Sequence, residues 1–232
     1  MSDFVVLEKV ELWMVVKKYY LAVMSESDGC VSGFYSAILV DGVDKDSFQH
    51  YGKKPWYAGP KRFSGKLMPF PDGLTLIVNK DCCECDIRRG SDYFYVFSER
   101  FLNVIKNYKT SFDEIKQIVR VVKGQVKSDG GLFFVGRTKR ISIADVVDFK
   151  CSKMAGEFND MFEVLRVRAD FDFDMFDMFD AATGQLSLVV SEELVSDLQE
   201  VDLKGVHFMP IDDLVFNTLQ DFRLNSMRYY PV

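Results

Sequence analysis

The chain has 232 residues, 48% of them hydrophobic and 28% charged, with 21 phenylalanines and a formal net charge of −6. This is the composition of a globular protein rather than a disordered one, and the length suffices for one full core or two small ones. No apolar run approaches the ~18 residues of a membrane-spanning helix, so no membrane-spanning helix is expected.

The cysteines and the N-terminal segment indicate the compartment. Five cysteines, an odd number, argue against a disulfide framework. The N-terminus has acidic residues early and no basic stretch ahead of its apolar residues, so it lacks the pattern of a secretory signal. We therefore expect a cytoplasmic protein with reduced thiols.

The charge is unevenly distributed along the chain. Residues 151–232 contain 6 Lys and Arg against 16 Asp and Glu, whereas residues 1–150 have a small excess of basic residues. An acidic half disfavours nucleic-acid binding by the whole chain, because phosphate backbones attract basic surfaces. It suits a basic protein partner, or it serves simply as a solvated surface.

In chain order, the first predicted elements are strands. Residues 4–24 are expected to be mostly strand, and Phe34–Val40 and Leu74–Val78 have the apolar, β-branched pattern of further strands. Between them, Gly52–Pro71 holds four of the six prolines and is expected to be a loop. Its interleaved basic and aromatic residues favour either an anchored surface loop or a single-stranded nucleic-acid site. These residues are Lys53, Lys54, Trp56, Lys61, Arg62 and Phe63.

Three cysteines lie within the sequence DCCECD at Asp81–Asp86. Cys82 and Cys85 form a C-x-x-C pair around a third cysteine, but a structural zinc site needs a second pair of ligands. The remaining cysteines and the two histidines, His50 and His207, are isolated in the sequence, so no metal and no cofactor is expected. The acidic neighbours disfavour the thiolate form, which argues against a redox role.

Two helices are predicted in the middle of the chain. Tyr93–Phe97 has the aromatic pattern of a strand, and a helix is expected to begin after Ser98, whose hydroxyl can cap the first turn. Ser111 and Glu114 have the spacing of a capping box ahead of apolar residues at helical spacing. This pattern predicts a second helix that ends near Gly124.

The strongest pattern in the chain is the alternation of Asp and Phe at the start of the sequence DFDFDMFDMFD, residues 170–180. Period-two alternation predicts a strand with one aromatic face and one acidic face. The Asp-x-Asp-x-Asp start is similar to a calcium loop, but Met175 replaces the required glycine and Ala181 the final glutamate. We expect the acidic face to bind a partner, or to serve solubility and discourage edge pairing. The candidate partner-binding residues are Asp170, Asp172, Asp174, Asp177 and Asp180.

The segment from Leu186 to Pro210 is predicted to be a strand, a capped helix and a second strand. Ser191 lies just before a helical pattern of apolar residues, and acidic residues follow it where the helix dipole favours them. Gly205 is the expected left-handed cap before the second strand.

The start of this helix has a counterpart earlier in the chain. The sequence VVSEELVSDL at 189–198 matches VFSERFLNVI at 96–105, 93 residues earlier, in its Ser-Glu start and its apolar spacing. The match indicates either two related modules or the reuse of a good helix start.

The sequence contains none of the common catalytic motifs. It lacks a nucleophile elbow, a P-loop and an H-E-x-x-H pair. A histidine-dependent triad would have to use His50 or His207, and His207 lies in a predicted strand at the edge of the core. We therefore predict no catalytic residues, with an uncharacterised enzyme that uses a carboxylate pair as the alternative.

The C-terminal half has a helix start at Val190–Leu194 (VSEEL), a turn at Leu203–Gly205 (LKG) and a strand at Val206–Pro210 (VHFMP). Together with the acidic, apolar segment Phe162–Asp174, these residues resemble a family of bacterial immunity proteins. The family belongs to polymorphic toxin systems of the type VI or Rhs type and was formerly a domain of unknown function. The resemblance covers residues 160–212. It implies a non-catalytic protein that binds and neutralises a cognate toxin.

These patterns predict an α+β fold with mixed or antiparallel sheets, short capped helices and a C-terminal strand–helix–strand module. Residues 1–154 are expected to form an N-terminal α+β region and residues 155–232 the immunity-like module, with a single domain as the alternative. The expected partner is a toxin or effector, and neither a membrane nor nucleic acid is expected. The alternative functions are single-stranded nucleic-acid binding through residues 52–66 and an uncharacterised enzyme.

Overall fold

A computed structural model describes ten parts of the chain. These are residues 17–24, 30, 37–40, 69–78, 84–91, 94–122, 125–126, 131–155, 161–180 and 185–211. The predicted strand pattern of residues 4–16 and the basic loop at residues 52–66 lie outside them.

Strands dominate the described residues. They are β1 Tyr19–Met24, β2 Ala37–Val40, β3 Thr75–Val78, β4 Ile87–Ser91, β5 Phe94–Ser98, β6 Phe112–Val122, β7 Gln125–Val126, β8 Phe133–Thr138, β9 Arg140–Ser142, β10 Lys153–Ala155, β11 Met161–Val164, β12 Met175–Asp180, β13 Gln185–Ser191 and β14 Val206–Pro210. The helices are α1 Glu99–Ile105, α2 Ile143–Val146 and α3 Glu192–Glu200. Over the described ranges, no helix is long and apolar enough to span a membrane.

Two mixed sheets and one two-stranded ribbon confirm the predicted α+β class. The first sheet has the order β14-β1-β13-β12-β9, in which only β12 and β9 are parallel. The second has the order β2-β3-β6-β8-β5-β4, with β7 attached to β6 and with β3 and β6 parallel. β10 and β11 form the ribbon.

The first sheet takes strands from distant parts of the chain. β1 lies between β13 and β14 and is antiparallel to both, with Tyr19 opposite Ser191. β9 pairs with β12 on the other side. The sheet that contains β12, β13 and β14 of the predicted C-terminal module thus also contains residues 19–24 and 140–142. The division after residue 154 stays a prediction.

Each helix begins at a serine, which confirms the starts predicted for α1 and α3. The hydroxyl oxygens of Ser98, Ser142 and Ser191 accept hydrogen bonds from backbone amides of the first turns of α1, α2 and α3. These bonds satisfy amides that have no partner within the helix.

The end of α3 differs from the prediction in one detail. Gly205 is left-handed as expected, with φ +80°, but it lies in the turn that leads into β14. The residue that follows the C-cap of α3 is Asp202, with φ +48°. Aspartate tolerates this conformation because its short side chain can hydrogen-bond locally.

Residues 112–122 form a strand, so the prediction of a helix between Ser111 and Gly124 is wrong. β6 pairs with β8 on one side and with β3 on the other. Exposure alternates along it, since Ile118 is buried and Val119 is 47% exposed. The β-branched residues that fitted a helical spacing also fit a pleated strand, and pairing on both sides decides between the two.

The two residues of the predicted capping box, Ser111 just before β6 and Glu114 within it, make other contacts. The Glu114 carboxylate accepts a hydrogen bond from the Phe70 amide at 2.9 Å and pairs with Arg137 at 3.0 Å. The Ser111 amide donates to the Met175 carbonyl, and this bond ties the start of β6 to β12. Tertiary contacts therefore replace the local cap.

One buried cluster joins the two sheets beneath α1 and α3. It contains side chains of both helices, such as Phe101 and Leu198, and of the strands that precede them, such as Phe97 and Val190. Burial of this apolar surface is the main interaction that holds the two sheets together.

Candidate partner-binding surface

The five predicted aspartates do not form one acidic strand face, so that prediction is wrong. Residues 170–174 precede β12, which begins at Met175. Backbone pairing explains the difference, because the Asp174 amide donates to the Lys109 carbonyl in the segment after α1 rather than to a neighbouring strand. The two phenylalanines between the aspartates still pack against the core, as expected.

Among the four predicted aspartates whose side chains the structure describes, Asp170 and Asp172 are exposed, with side-chain exposures of 71% and 75%. Each lies beside a cation of the same chain, Arg168 for Asp170 and Lys109 for Asp172. The hydrogen bond from Arg168 lowers the pKa of Asp170. Exposed pairs of this kind are weak, so either carboxylate can exchange its cation for one from a partner.

Asp174 belongs to the internal framework. It accepts hydrogen bonds from the Lys17 ammonium at 2.5 Å, the Lys109 amide at 2.9 Å and the Ser191 hydroxyl at 3.2 Å. Burial opposes its ionisation, but these hydrogen bonds outweigh burial and lower the pKa of Asp174. A partner could reach this carboxylate only by displacing all three donors.

Asp177 is buried within β12. Its carboxylate accepts hydrogen bonds from Tyr95 at 2.5 Å, from the Thr138 hydroxyl, and from Arg89 at 2.9 Å. Burial raises the pKa of Tyr95 well above its usual value, so the phenol donates in its neutral form. The network links the two sheets.

Asp180 is the last residue of β12, and its side chain lies outside the described part of the structure.

The densest exposed acidic surface in the described residues is the outer face of α3. The apolar residues of this helix, Leu194, Val195 and Leu198, face the core. The opposite side carries four exposed carboxylates and no basic residue. We call this surface the α3 acidic face, and its residues are Glu192, Glu193, Asp197 and Glu200.

The loop after α1 borders the α3 acidic face. The Tyr108 hydroxyl donates to Asp197 at 2.5 Å. This hydrogen bond raises the pKa of Tyr108 to about 12, and burial and the negative charges nearby, including Glu193, add to the shift. The next residue, Lys109, pairs with Asp172. Two consecutive residues of this loop therefore contact the α3 acidic face and Asp172, respectively.

The charges on α3 are arranged unfavourably for the isolated helix. Glu193 and Asp197 are four residues apart and Asp197 and Glu200 three, spacings at which like charges cost about 0.3 kcal/mol per pair. Glu200 also lies in the last turn, where the helix dipole favours a cation and none is present. The ion pair between Lys18 and Glu192 is exposed and 3.4 Å long, so it offsets little. A basic partner would relieve this repulsion.

Sequence reasoning located α3, but it assigned Glu192 and Glu193 only to the helix dipole and gave Asp197 and Glu200 no role. The signal for an acidic face was present, because Glu193, Asp197 and Glu200 recur at helical spacing opposite the apolar residues. The partner-binding surface was predicted at residues 170–180 instead, because the Asp–Phe alternation there is more regular.

The other predicted features contribute little within the described residues. No group of three or more His, Cys, Asp or Glu side chains among them is arranged to hold a metal ion. Cys82, Cys83, His50 and the loop at 52–66 lie outside this part of the chain. His207 is exposed on β14 rather than at the edge of the core, because the strand turns this position toward solvent.

A cavity of about 310 Å³ lies at the start of β1. Two lysines line it, but the ammonium groups of both pair with carboxylates, Lys17 with Asp174 and Lys18 with Glu192. Each of these lysines therefore has a carboxylate partner within the chain, although the Lys18 pair is exposed, and Arg166 adds a third cation to the wall. The remaining wall is largely apolar and includes Leu165, Val167 and Ile211.

Comparison with protein-family models and with curated proteins gives no match for this chain. The function is therefore inferred from the chemistry of the acidic surface and from the resemblance of residues 160–212.

Proposed function

We propose that this protein is a cytoplasmic, non-catalytic immunity protein that binds and neutralises a cognate bacterial toxin or effector. The observation that carries the proposal is the α3 acidic face, which has four exposed carboxylates and no basic residue. The resemblance involves the same part of the fold. Val190–Leu194 forms the capped start of α3, and Leu203–Gly205 forms the turn after it.

An acidic helix suits a toxin whose active site binds an anionic substrate. Sites for nucleotides or other phosphates are basic, because they must neutralise negative charge. Carboxylates on a well-packed helix can occupy such a site in place of the substrate, and charge complementarity accelerates the encounter. Inhibition then follows from occlusion and requires no chemistry from the immunity protein.

The first test is association with the product of the neighbouring gene. We expect an adjacent open reading frame that encodes a variable C-terminal toxin domain. Co-expression of this chain should restore growth that the toxin alone arrests, and the two proteins should co-purify. A neighbouring toxin that the chain neither binds nor neutralises would contradict the proposal.

A charge-reversal variant tests the surface separately. For Glu193→Lys with Glu200→Lys, we expect the Kd for the toxin to weaken roughly tenfold or more at low salt, mainly through slower association. The loss should shrink as salt screens the long-range attraction. The matched control is Asp145→Lys with Glu163→Lys, which makes the same charge change at exposed positions of α2 and β11.

The two variants together separate local from general electrostatics. An effect confined to the α3 variant supports this face as the binding surface. An equal loss in both variants shows that net charge alone governs association. Unchanged kinetics in the α3 variant would reject this face, although the immunity assignment would still be decided by the association test.

A further inference from the structure

Two segments of the chain have the same sequence of elements. The first unit, residues 86–109, consists of an aspartate, the hairpin β4–β5, the capped helix α1 and the loop after it. The second unit, residues 174–204, consists of an aspartate, the hairpin β12–β13, the capped helix α3 and its loop. The sequence match at 96–105 and 189–198 covers only the middle of these units.

The aspartate and the capping serine meet in the same way in both units. The Ser98 amide donates to the Asp86 carbonyl at 2.8 Å, and the Ser191 amide donates to the Asp174 carbonyl at 2.7 Å. The serine hydroxyls also donate to the carboxylates of these aspartates, at 2.5 Å in the first unit and 3.2 Å in the second. Each capping serine is therefore held by a carboxylate.

The strands around the two units are also equivalent. β8 lies between β5 and β6 in the second sheet, just as β1 lies between β13 and β14 in the first, and all four of these pairs are antiparallel. The first residue of each helix donates to the residue before that middle strand. Glu99 donates to Leu132 at 2.9 Å, and Glu192 donates to Lys18 at 3.0 Å.

The contacts between the units are reciprocal. Asp86 of the first unit binds the backbone of Lys204, in the loop after α3, through its own amide at 2.9 Å and its carboxylate at 2.8 Å. Asp174 of the second unit binds the backbone of Lys109, in the loop after α1, at 2.7 Å and 2.9 Å. Each aspartate thus holds the loop of the opposite unit. This exchange of identical contacts is that of two subunits around a twofold axis.

The shared core repeats the correspondence. Residues at matching places in the two units are buried together in one cluster: Ile87 with Met175, Tyr95 with Leu188, Phe97 with Val190, Phe101 with Leu194, and Ile105 with Leu198. Arg89 and Asp177, each the third residue after its aspartate, meet at 2.9 Å. Opposite charges at this matching position favour pairing of the first unit with the second over pairing of like units.

We propose that the chain is an internal duplication whose two units lock each other through a reciprocal pair of aspartate clasps. A clasp is defined here as the aspartate backbone and carboxylate together with the lysine backbone that they bind. The clasps make each loop depend on the opposite unit, so loss of a carboxylate in one unit frees the loop of the other. This proposal does not depend on the proposed function.

Amide hydrogen exchange on the full chain tests the crossing. In Asp86→Asn we expect the amides of residues 203–206 to exchange roughly tenfold faster or more, and in Asp174→Asn the amides of residues 108–111. The controls are Ser98→Ala and Ser191→Ala, which remove a cap but leave both carboxylates in contact with the opposite loops. These serine variants should loosen the start of their own helix and spare the opposite loop.

Faster exchange in the loop of the opposite unit supports the proposal. Faster exchange confined to the unit that carries the aspartate substitution would overturn it. If an asparagine variant does not fold, the wild-type chain supplies the measurement, because the amides of Lys109 and Lys204 should be strongly protected although both lie outside helices and strands. Rapid exchange at either amide in the wild type would also overturn the proposal.

Discussion

Asp177→Leu should destabilise the protein far more than any exposed aspartate substitution. Asp177 is 3% exposed and accepts hydrogen bonds from Arg89, Tyr95 and Thr138. Removal of one partner of a buried ion pair costs about 3–5 kcal/mol. The Arg89 side chain is 18% exposed and can regain some water, so we expect about 3 kcal/mol. For a chain of this size, that loss lowers the melting temperature by roughly 6–12 °C.

A double-mutant cycle separates the ion pair from the rest of the network. Arg89→Met alone leaves the carboxylate with two hydroxyl donors, and the double variant leaves neither charge buried. We expect the double variant to lose less stability than the sum of the single variants, by about 2 kcal/mol. Urea unfolding gives the free energy of unfolding of each of the three variants. Asp170→Asn, at an exposed site, is the control and should change the free energy of unfolding by less than about 0.5 kcal/mol. Additivity of the single variants would refute the coupling.

Three further predictions concern stability. Gly205→Ala should cost about 2–4 kcal/mol in urea unfolding, since φ is +80° and the new Cβ would lie 2.8 Å from the Cys30 sulfur; a neutral effect would show that the turn readily rearranges. Ile118→Thr should cost about 2 kcal/mol or more and Val119→Thr less than about 0.5, because exposure alternates on a strand; equal losses would favour a helix. The pKa of Asp174 is lower in the folded than in the unfolded protein. Its contribution to the free energy of unfolding is therefore complete above the unfolded-state pKa of about 3.9 and is lost as the pH falls through the folded-state pKa. Asp174→Asn should therefore unfold with a flatter pH dependence between pH 5 and 2, and a profile parallel to the wild type would contradict this.

The elements that the sequence predicts well are those that local chemistry determines. The strand, capped helix and strand at residues 185–210 follow from an apolar run, the serine cap at Ser191 and a turn glycine, all close together in the chain. The start of α1 at Ser98 follows from the same signals. The α+β class was predictable for this reason.

Contacts between distant residues account for what the sequence did not predict. β6 carries a capping box that favours a helix, but pairing with β3 and β8 makes it a strand. Asp174 belongs to a regular Asp–Phe alternation, yet its backbone and carboxylate bind Lys109, 65 residues away. Likewise, the match at 96–105 and 189–198 could not show that each unit holds the loop of the other, because a helix start contains no information about its tertiary partners.

The position of β1 constrains the order of events on the ribosome. The first unit and the strands β6 and β8 are contiguous between Asp86 and Thr138, so they can pair while the rest of the chain is still being made. β1 instead pairs with β13 and with β14, which ends at Pro210. At about 5–20 residues per second, the roughly 190 residues from the end of β1 to the end of β14 take on the order of 10–40 s to synthesise. Through that interval the nascent chain carries the apolar strand Tyr19–Met24 without its native neighbours, and an unpaired strand of this kind is prone to aggregate.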